Sequence, residues 1–435
     1  VTFPSRSVAR ARHLLRGDFV RHGLLVFTAT MAINVLGYAY HFAISRRIGV
    51  EQYGVLSALN AGIMISTVVS QIASTIVIKY AAEFRAVGDR AHLAALVRGL
   101  ILYGSIASCA VCAAGLVLAR PIAAYLKISN VFAVDLTMLI VAIGITTPAL
   151  RAVFAGIEDF KMFSVSSVLE SVLKAVLGIS LAYAGFGVVG AIAGWAVGSG
   201  VSIAYTIAVL AARFRRVPGA ALYIDLRRLY LTTAGVALAT ICVTSISYAD
   251  VLIVKHYADP TTAGLYGALS LSGKILLFVS TFVPTIVLPK ATRQALSGIS
   301  PVGVFLQALG FILALSGAGL VVYFFFPTFI ITSLAGSSFA PAAPYVFSYG
   351  LAMVLLAALN VVVMYKIGIH RFDFVIPLCV CAVAEIVGIA VRHASLSQVI
   401  VVLIAGNGVA LIVSAWRVTA PLRSPGAVQP ADAAA

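Results

Sequence analysis

Charge is what this chain has least of: only 10% of its 435 residues are Asp, Glu, Lys or Arg. Soluble domains carry roughly 25%, so a water-soluble enzyme built on a large core is excluded. Cysteine is scarce too, at 5 residues, and all of them fall inside apolar stretches. Cys109 and Cys112 have CxxC spacing, but no second pair of ligands accompanies them. They read as small packing residues rather than a metal or redox centre. No GxxxxGK[ST] run occurs, which excludes an ATP-binding engine in this polypeptide. Long polar loops are missing as well. The widest loop on what becomes the outer face, 327–344, contains no charged residue, so a membrane-embedded polymerase or ligase lacks its catalytic groups there. The sequence calls for no catalytic residue, no metal and no cofactor.

What fills the space is apolar: 62% of residues are hydrophobic, with a mean hydropathy of +1.08. A spanning helix needs roughly 20 mostly apolar residues. About twelve such runs occur, near 22–44, 54–78, 96–119, 131–153, 163–184, 187–211, 229–254, 262–286, 302–326, 343–365, 372–391 and 397–416. They are solidly apolar, whereas barrel strands alternate, so the expected class is an all-α membrane protein. The first 21 residues are basic and show no cleavage pattern, so the first run is expected to act as the targeting signal.

The net charge of +16 is a topology signal rather than a nucleic-acid footprint. Most Lys and Arg fall on alternate loops, including Arg6, Arg10, Arg85, Arg90, Arg213, Arg215 and Arg216, while the opposite loops hold few, such as Arg46, Arg47, Lys255 and Arg392. Basic loops stay cytoplasmic, which places both termini inside the cell and leaves a secondary attraction to anionic lipids. No nucleic-acid partner is expected.

Two pairs of segments repeat at an offset of about 210 residues. RRIGVEQYGVLSAL (46–59) matches KHYADPTTAGLYGAL (255–269) at Gly54/Gly264, Ala58/Ala268 and Leu59/Leu269. FAGIEDF (154–160) matches KIGIHRF (366–372) at Gly156/Gly368, Ile157/Ile369 and Phe160/Phe372. An arginine-rich stretch with Pro218-Gly219 lies between the two halves. The expected organisation is a basic arm (1–21), an N-lobe (22–211), a cytoplasmic linker (212–228), a C-lobe (229–416) and a short tail (417–435). An even number of spans per half makes the repeat parallel, with two lobes of about six helices around a central cavity.

Ionisable groups inside spans are costly and mark function by default. Glu170 and Lys174 lie four residues apart on one helix face and can pair with each other. Lys274 has no local acidic partner, so it is expected to face a hydrated interior. Asp250 is a candidate coupling carboxylate or a partner for Lys255 or His256; Arg46, Arg47 and Arg151 sit near helix ends, where each can snorkel, the simpler role for at least one of Arg46 and Arg47. Glu385 is read as peripheral. Asn34, Asn60, Gln71, Asn360 and Asn407 are read as interhelical hydrogen bonders, and the glycines of GVVGAIAGWAVGSG (187–200) as close-packing residues. Pro148, Pro284 and Pro377 permit kinks, and Pro284 with Pro289 would bend the eighth run near its inner end. The interior leans basic, which suits a phosphate or diphosphate headgroup.

These residues resemble the polysaccharide transporter branch of the multidrug/oligosaccharidyl-lipid/polysaccharide exporter superfamily, which includes the O-antigen (Wzx-type) flippases. The resemblance rests on Ile48, Gly49, Tyr53 and Gly54 after the first span, on Asp250, Gly264, Leu265 and Tyr266 across the seventh and eighth, and on Gly156 and Phe160 after the fourth. It implies a non-enzymatic flippase that carries a polyprenyl-diphosphate-linked oligosaccharide across the bacterial inner membrane by alternating access. Related lipid II flippases have two further spans, and this chain is expected to be without that pair. Membrane lipids, a polysaccharide polymerase and a chain-length regulator are the implied partners. Under this reading Lys174 and Lys274 contact the diphosphate, Arg151 and Arg47 gate it, and Asp250 and Glu170 are coupling carboxylates. A cation-coupled multidrug exporter of the same superfamily is the alternative.

Overall fold

A computed structural model describes residues 5–218, 220, 226–279, 294 and 300–418. The expected bends at Pro284 and Pro289, the loop residues Lys290 and Arg293, part of the 212–228 linker and nearly all of the tail lie outside the described residues. Among those described, the chain is helical without strands. The helices are α1 (Ser5–Ala86), α2 (Arg90–Tyr125), α3 (Val131–Gly156), α4 (Phe160–Leu181), α5 (Gly187–Phe214), α6 (Leu226–Tyr257), α7 (Pro260–Val279), α8 (Val302–Phe325), α9 (Pro327–Ala335), α10 (Val346–Gly368), α11 (Val375–Val391) and α12 (Leu396–Ala415).

Eight helical stretches are long and apolar enough to cross a membrane among the described residues. One of them, 24–86, has 63 residues, which at 1.5 Å per residue would extend about 95 Å, three times the hydrocarbon core. It cannot run straight through a single bilayer. The break falls at Gly49, whose φ of 79° and ψ of 172° are non-helical and carry no Cβ penalty in glycine. The 55-residue stretch 160–214 is interrupted in the same way by a short π segment, Ala182–Phe186. The chain is a multi-pass membrane protein, and side chains such as Val117, Phe311 and Ile376 stand exposed on its helices.

The chain divides into two compact units, Val1–Leu231 and Thr232–Ala435. In the first, Leu93, Leu150, Val153, Phe154 and Leu210 form a buried cluster of α2, α3 and α5. In the second, α10 is the most enclosed helix, with Tyr349, Leu356, Leu359 and Tyr365 all buried. Short turns begin with side-chain caps. Asp89 accepts from the backbone N–H of His92, Asp159 from Met162 and Ser395 from Gln398, satisfying donors that a helix start leaves open.

The sequence repeat has a backbone counterpart. After α3, the amides of Ile157, Glu158 and Asp159 donate to the carbonyls of Val153, Ala155 and Phe154. After α10, the amides of Ile369, His370 and Arg371 donate to Tyr365, Ile367 and Lys366. The two sets correspond residue for residue. Glu158 (φ 57°) and His370 (φ 54°) hold the same left-handed position. Buried Phe154 fills the place that buried Lys366 occupies in the second copy. There the ammonium is satisfied by Asp373 at 3.2 Å and by the Trp416 carbonyl at 2.8 Å.

Candidate functional site

Each unit carries its own cluster of intramembrane polar groups. In the first unit, α3 presents Arg151 to α4 and α5. Its guanidinium donates to the Glu170 carboxylate at 2.5 Å, to the Ser202 hydroxyl at 2.6 Å and to the Ser166 carbonyl at 3.1 Å. Ser199 donates to the other Glu170 oxygen at 2.8 Å. Both carboxylate oxygens are thus engaged. The i,i+4 spacing of Glu170 and Lys174 leads sequence reading to pair them, but the direct partner is Arg151, 19 residues away in sequence. Lys174 is left within electrostatic reach of Glu170, and its ammonium lies 3.4 Å from the Trp195 ring centre and 4.8 Å from that of Tyr40. Aromatic faces stabilise an ammonium through their quadrupole.

This arrangement depends on close packing of α4 against α5. A Cβ on Gly194 would meet the backbone of Gly178, and one on Gly198 would meet the backbone of Lys174. Only glycine at those places lets α5 bring Trp195, Ser199 and Ser202 against α4. Arg47 stands apart from this cluster. It is exposed, donates to the Tyr183 carbonyl at 3.2 Å and lies over that residue's ring. The structure therefore brings Arg151, Glu170 and Lys174 together and leaves Arg47 at the turn between α4 and α5.

In the second unit, Asp250 on α6 is 1% exposed. One carboxylate oxygen accepts hydrogen bonds from Tyr266 of α7 at 2.7 Å and Tyr349 of α10 at 3.0 Å. Its Oδ1 has no hydrogen-bond partner among the described residues. Lys274, one helical turn beyond Ser270 on α7, is buried and lies 4.0 Å from the Tyr248 ring centre. It has Asp250 within electrostatic reach, although no local acidic partner is visible in sequence.

Glu385 is the group that sequence reading passed over. It is buried on α11, its Oε2 has no hydrogen-bond partner among the described residues, and a Cβ on Gly406 of α12 would strike it. Asp250 lies within its electrostatic reach. It also lines a groove of about 450 Å³ between α11 and α12, with Val380, Val402 and Arg392. A buried glutamate in an apolar helix was the available signal. Asn407 serves as expected, donating to the Ala352 carbonyl at 3.2 Å across α12 and α10. No group of three or more His, Cys, Asp or Glu side chains is placed to hold a metal among the described residues.

The fold recurs among solved structures. It is shared with transporters of the multidrug/oligosaccharidyl-lipid/polysaccharide (MOP) exporter superfamily. One is an inward-facing multidrug resistance MATE family transporter, with a TM-score of 0.73 and 14% identity over 90% of this chain and 96% of that one. The lipid II flippase MurJ in an inward closed conformation is similar at a TM-score of 0.65 and 12% identity, covering 92% and 87%. A MOP superfamily transporter from Pyrococcus furiosus, described as having a binding pocket of reverse polarity, gives 0.60 and 16% over 91% and 93%. No family model and no curated protein matches the sequence.

Proposed function

We propose that this chain is a flippase for a polyprenyl-diphosphate-linked oligosaccharide in the bacterial plasma membrane, working by alternating access with both termini cytoplasmic. The observation that carries this reading is the state of its two intramembrane lysines. Lys174 and Lys274 both rest against aromatic rings, and neither forms an ion pair among the described residues. An ammonium held in this way keeps its charge available for an anionic headgroup. Arg151 is a poorer ligand, because Glu170 and Ser202 already hold it. Arg47 remains a gate candidate at the α4–α5 turn. Of the two coupling carboxylates, Asp250 is the stronger, since one of its oxygens is open while both oxygens of Glu170 are taken. A polysaccharide polymerase and a chain-length regulator are the partners this function calls for.

The test is export of lipid-linked glycan in a deletion strain. Lys274→Ala should lower export at least about tenfold, the scale of a lost charged hydrogen bond, at normal membrane abundance. Wild-type export by that variant would sink the assignment. A second reading, a cation-coupled multidrug exporter, draws support from the buried Asp250 and Glu385. Efflux of a fluorescent organic cation, abolished by Asp250→Asn and unaffected by Lys274→Ala, would select it instead.

A further inference from the structure

A second cavity of the second unit, of about 520 Å³, opens where the α6–α7 turn, the segment Ser337–Tyr345 and the α11–α12 turn meet. Its volume is in the range of small-ligand sites. Val254, Leu265 and Val399 make it apolar inside, while Asp259, Tyr345 and His393 supply polar groups. Among the described residues, no Lys or Arg lines it.

Its chemistry narrows the occupant. An anionic group would find no counter-charge and would face the Asp259 carboxylate. Asp259 caps α7, accepting from the Thr262 amide at 2.9 Å, and the Thr262 hydroxyl and amide hold its carboxyl below the usual range, so it remains an acceptor. His393 stacks on Tyr257 with ring centres 3.9 Å apart and planes 19° from parallel. Its Nδ1 donates to the Ala390 carbonyl at 2.7 Å, which leaves Nε2 as the ring nitrogen outside that bond. His393 covers one face of Tyr257 and removes that face from contact with an organic cation. Acceptors at the rim above an apolar floor match a sugar ring, which carries hydroxyls at its edge and C–H groups on its face.

We propose that this cavity is a saccharide subsite that takes neutral sugar residues of the transported glycan, away from its diphosphate. The inference rests on the flippase reading above. The cavity lies at the helix ends that the distribution of basic loops assigns to the outer face, so it would hold the sugar head as that head emerges.

The test is saturation-transfer NMR on the detergent-solubilised full chain with maltotriose, chitotriose and mannotriose. At least one should bind, and its affinity should fall about tenfold in both Tyr345→Ala and Asp259→Asn. The asparagine retains the cap, so the second variant separates ligand loss from unfolding. Absence of binding by all three, wild-type affinity in either variant, or binding of tetraphenylphosphonium in their place overturns the subsite. Glycan export by the wild-type protein is measured separately. Export without saccharide binding overturns the subsite and leaves the flippase reading standing, and absence of export overturns that reading itself.

Discussion

Arg151 and Glu170 meet across α3 and α4 at 2.5 Å, and two serines of α5 add hydrogen bonds, Ser202 to Arg151 and Ser199 to Glu170. Three helices of the first unit are tied at this point. Removing one partner leaves an uncompensated charge inside the membrane, a loss of order 3 kcal/mol for a buried pair. Arg151→Met is expected to lower the thermal unfolding temperature of the purified protein, and Arg151→Met combined with Glu170→Met to restore much of it. Equal melting of wild type and the single variant would show that the pair is not structural.

Lys174 is expected to behave differently, because it lies in no ion pair among the described residues. Lys174→Met should leave the melting temperature within a few degrees of wild type while export falls about tenfold. A large drop in stability with export per folded molecule unchanged would assign Lys174 to packing.

Gly194 is where α4 and α5 touch through backbone. Gly194→Leu drives a side chain into Gly178, and overpacking of this kind costs about 1–3 kcal/mol or more. Monodispersity in detergent should be lost. Gly200, with open space around it, is the control, and Gly200→Ala should be silent by the same chromatographic measure.

Cys242 of α6 and Cys379 of α11 hold their sulfurs 3.1 Å apart. Both are free thiols. Diamide, a two-electron thiol oxidant, should join them in the purified protein, removing two thiols from maleimide labelling under denaturing conditions. Cys242→Ser should abolish that loss. Undiminished labelling of both cysteines after oxidation would place their helices further apart than described here.

His370 sits at φ 54° after α10, a conformation that favours glycine at a helix C-terminus. His370→Gly is expected to raise stability by up to about 1 kcal/mol, and His370→Ile to lower it. The reverse order in thermal unfolding would contradict the turn geometry shared with Glu158.

The helical architecture was legible before any coordinates because the bilayer leaves few choices. Backbone groups in hydrocarbon must be satisfied within their own segment, so long unbroken apolar runs can only be helices. The repeat was legible for a related reason, since Gly156/Gly368 and Ile157/Ile369 mark turns whose hydrogen bonds coincide. The partners of the charges were not legible. A sequence exposes neighbours three or four residues apart on one helix, which is why spacing alone pairs Glu170 with Lys174. The packing of α3 against α4 decides for Arg151 instead. Packing between distant helices likewise sets the surroundings of Glu385 and the contact between Asp250 and Tyr349, 99 residues apart.

The amino-acid sequence by itself determined that this is a multi-pass helical protein with duplicated turns, because hydropathy and local backbone preference act over a few residues. Only the tertiary structure decided which charges are neutralised and which stay open. Arg151 and Glu170 cancel each other, while Lys174, Lys274 and one oxygen of Asp250 do not form such bonds among the described residues. That outcome depends on which helix faces pack together. In lipid, packing of small residues such as Gly194 against Gly178 sets those faces.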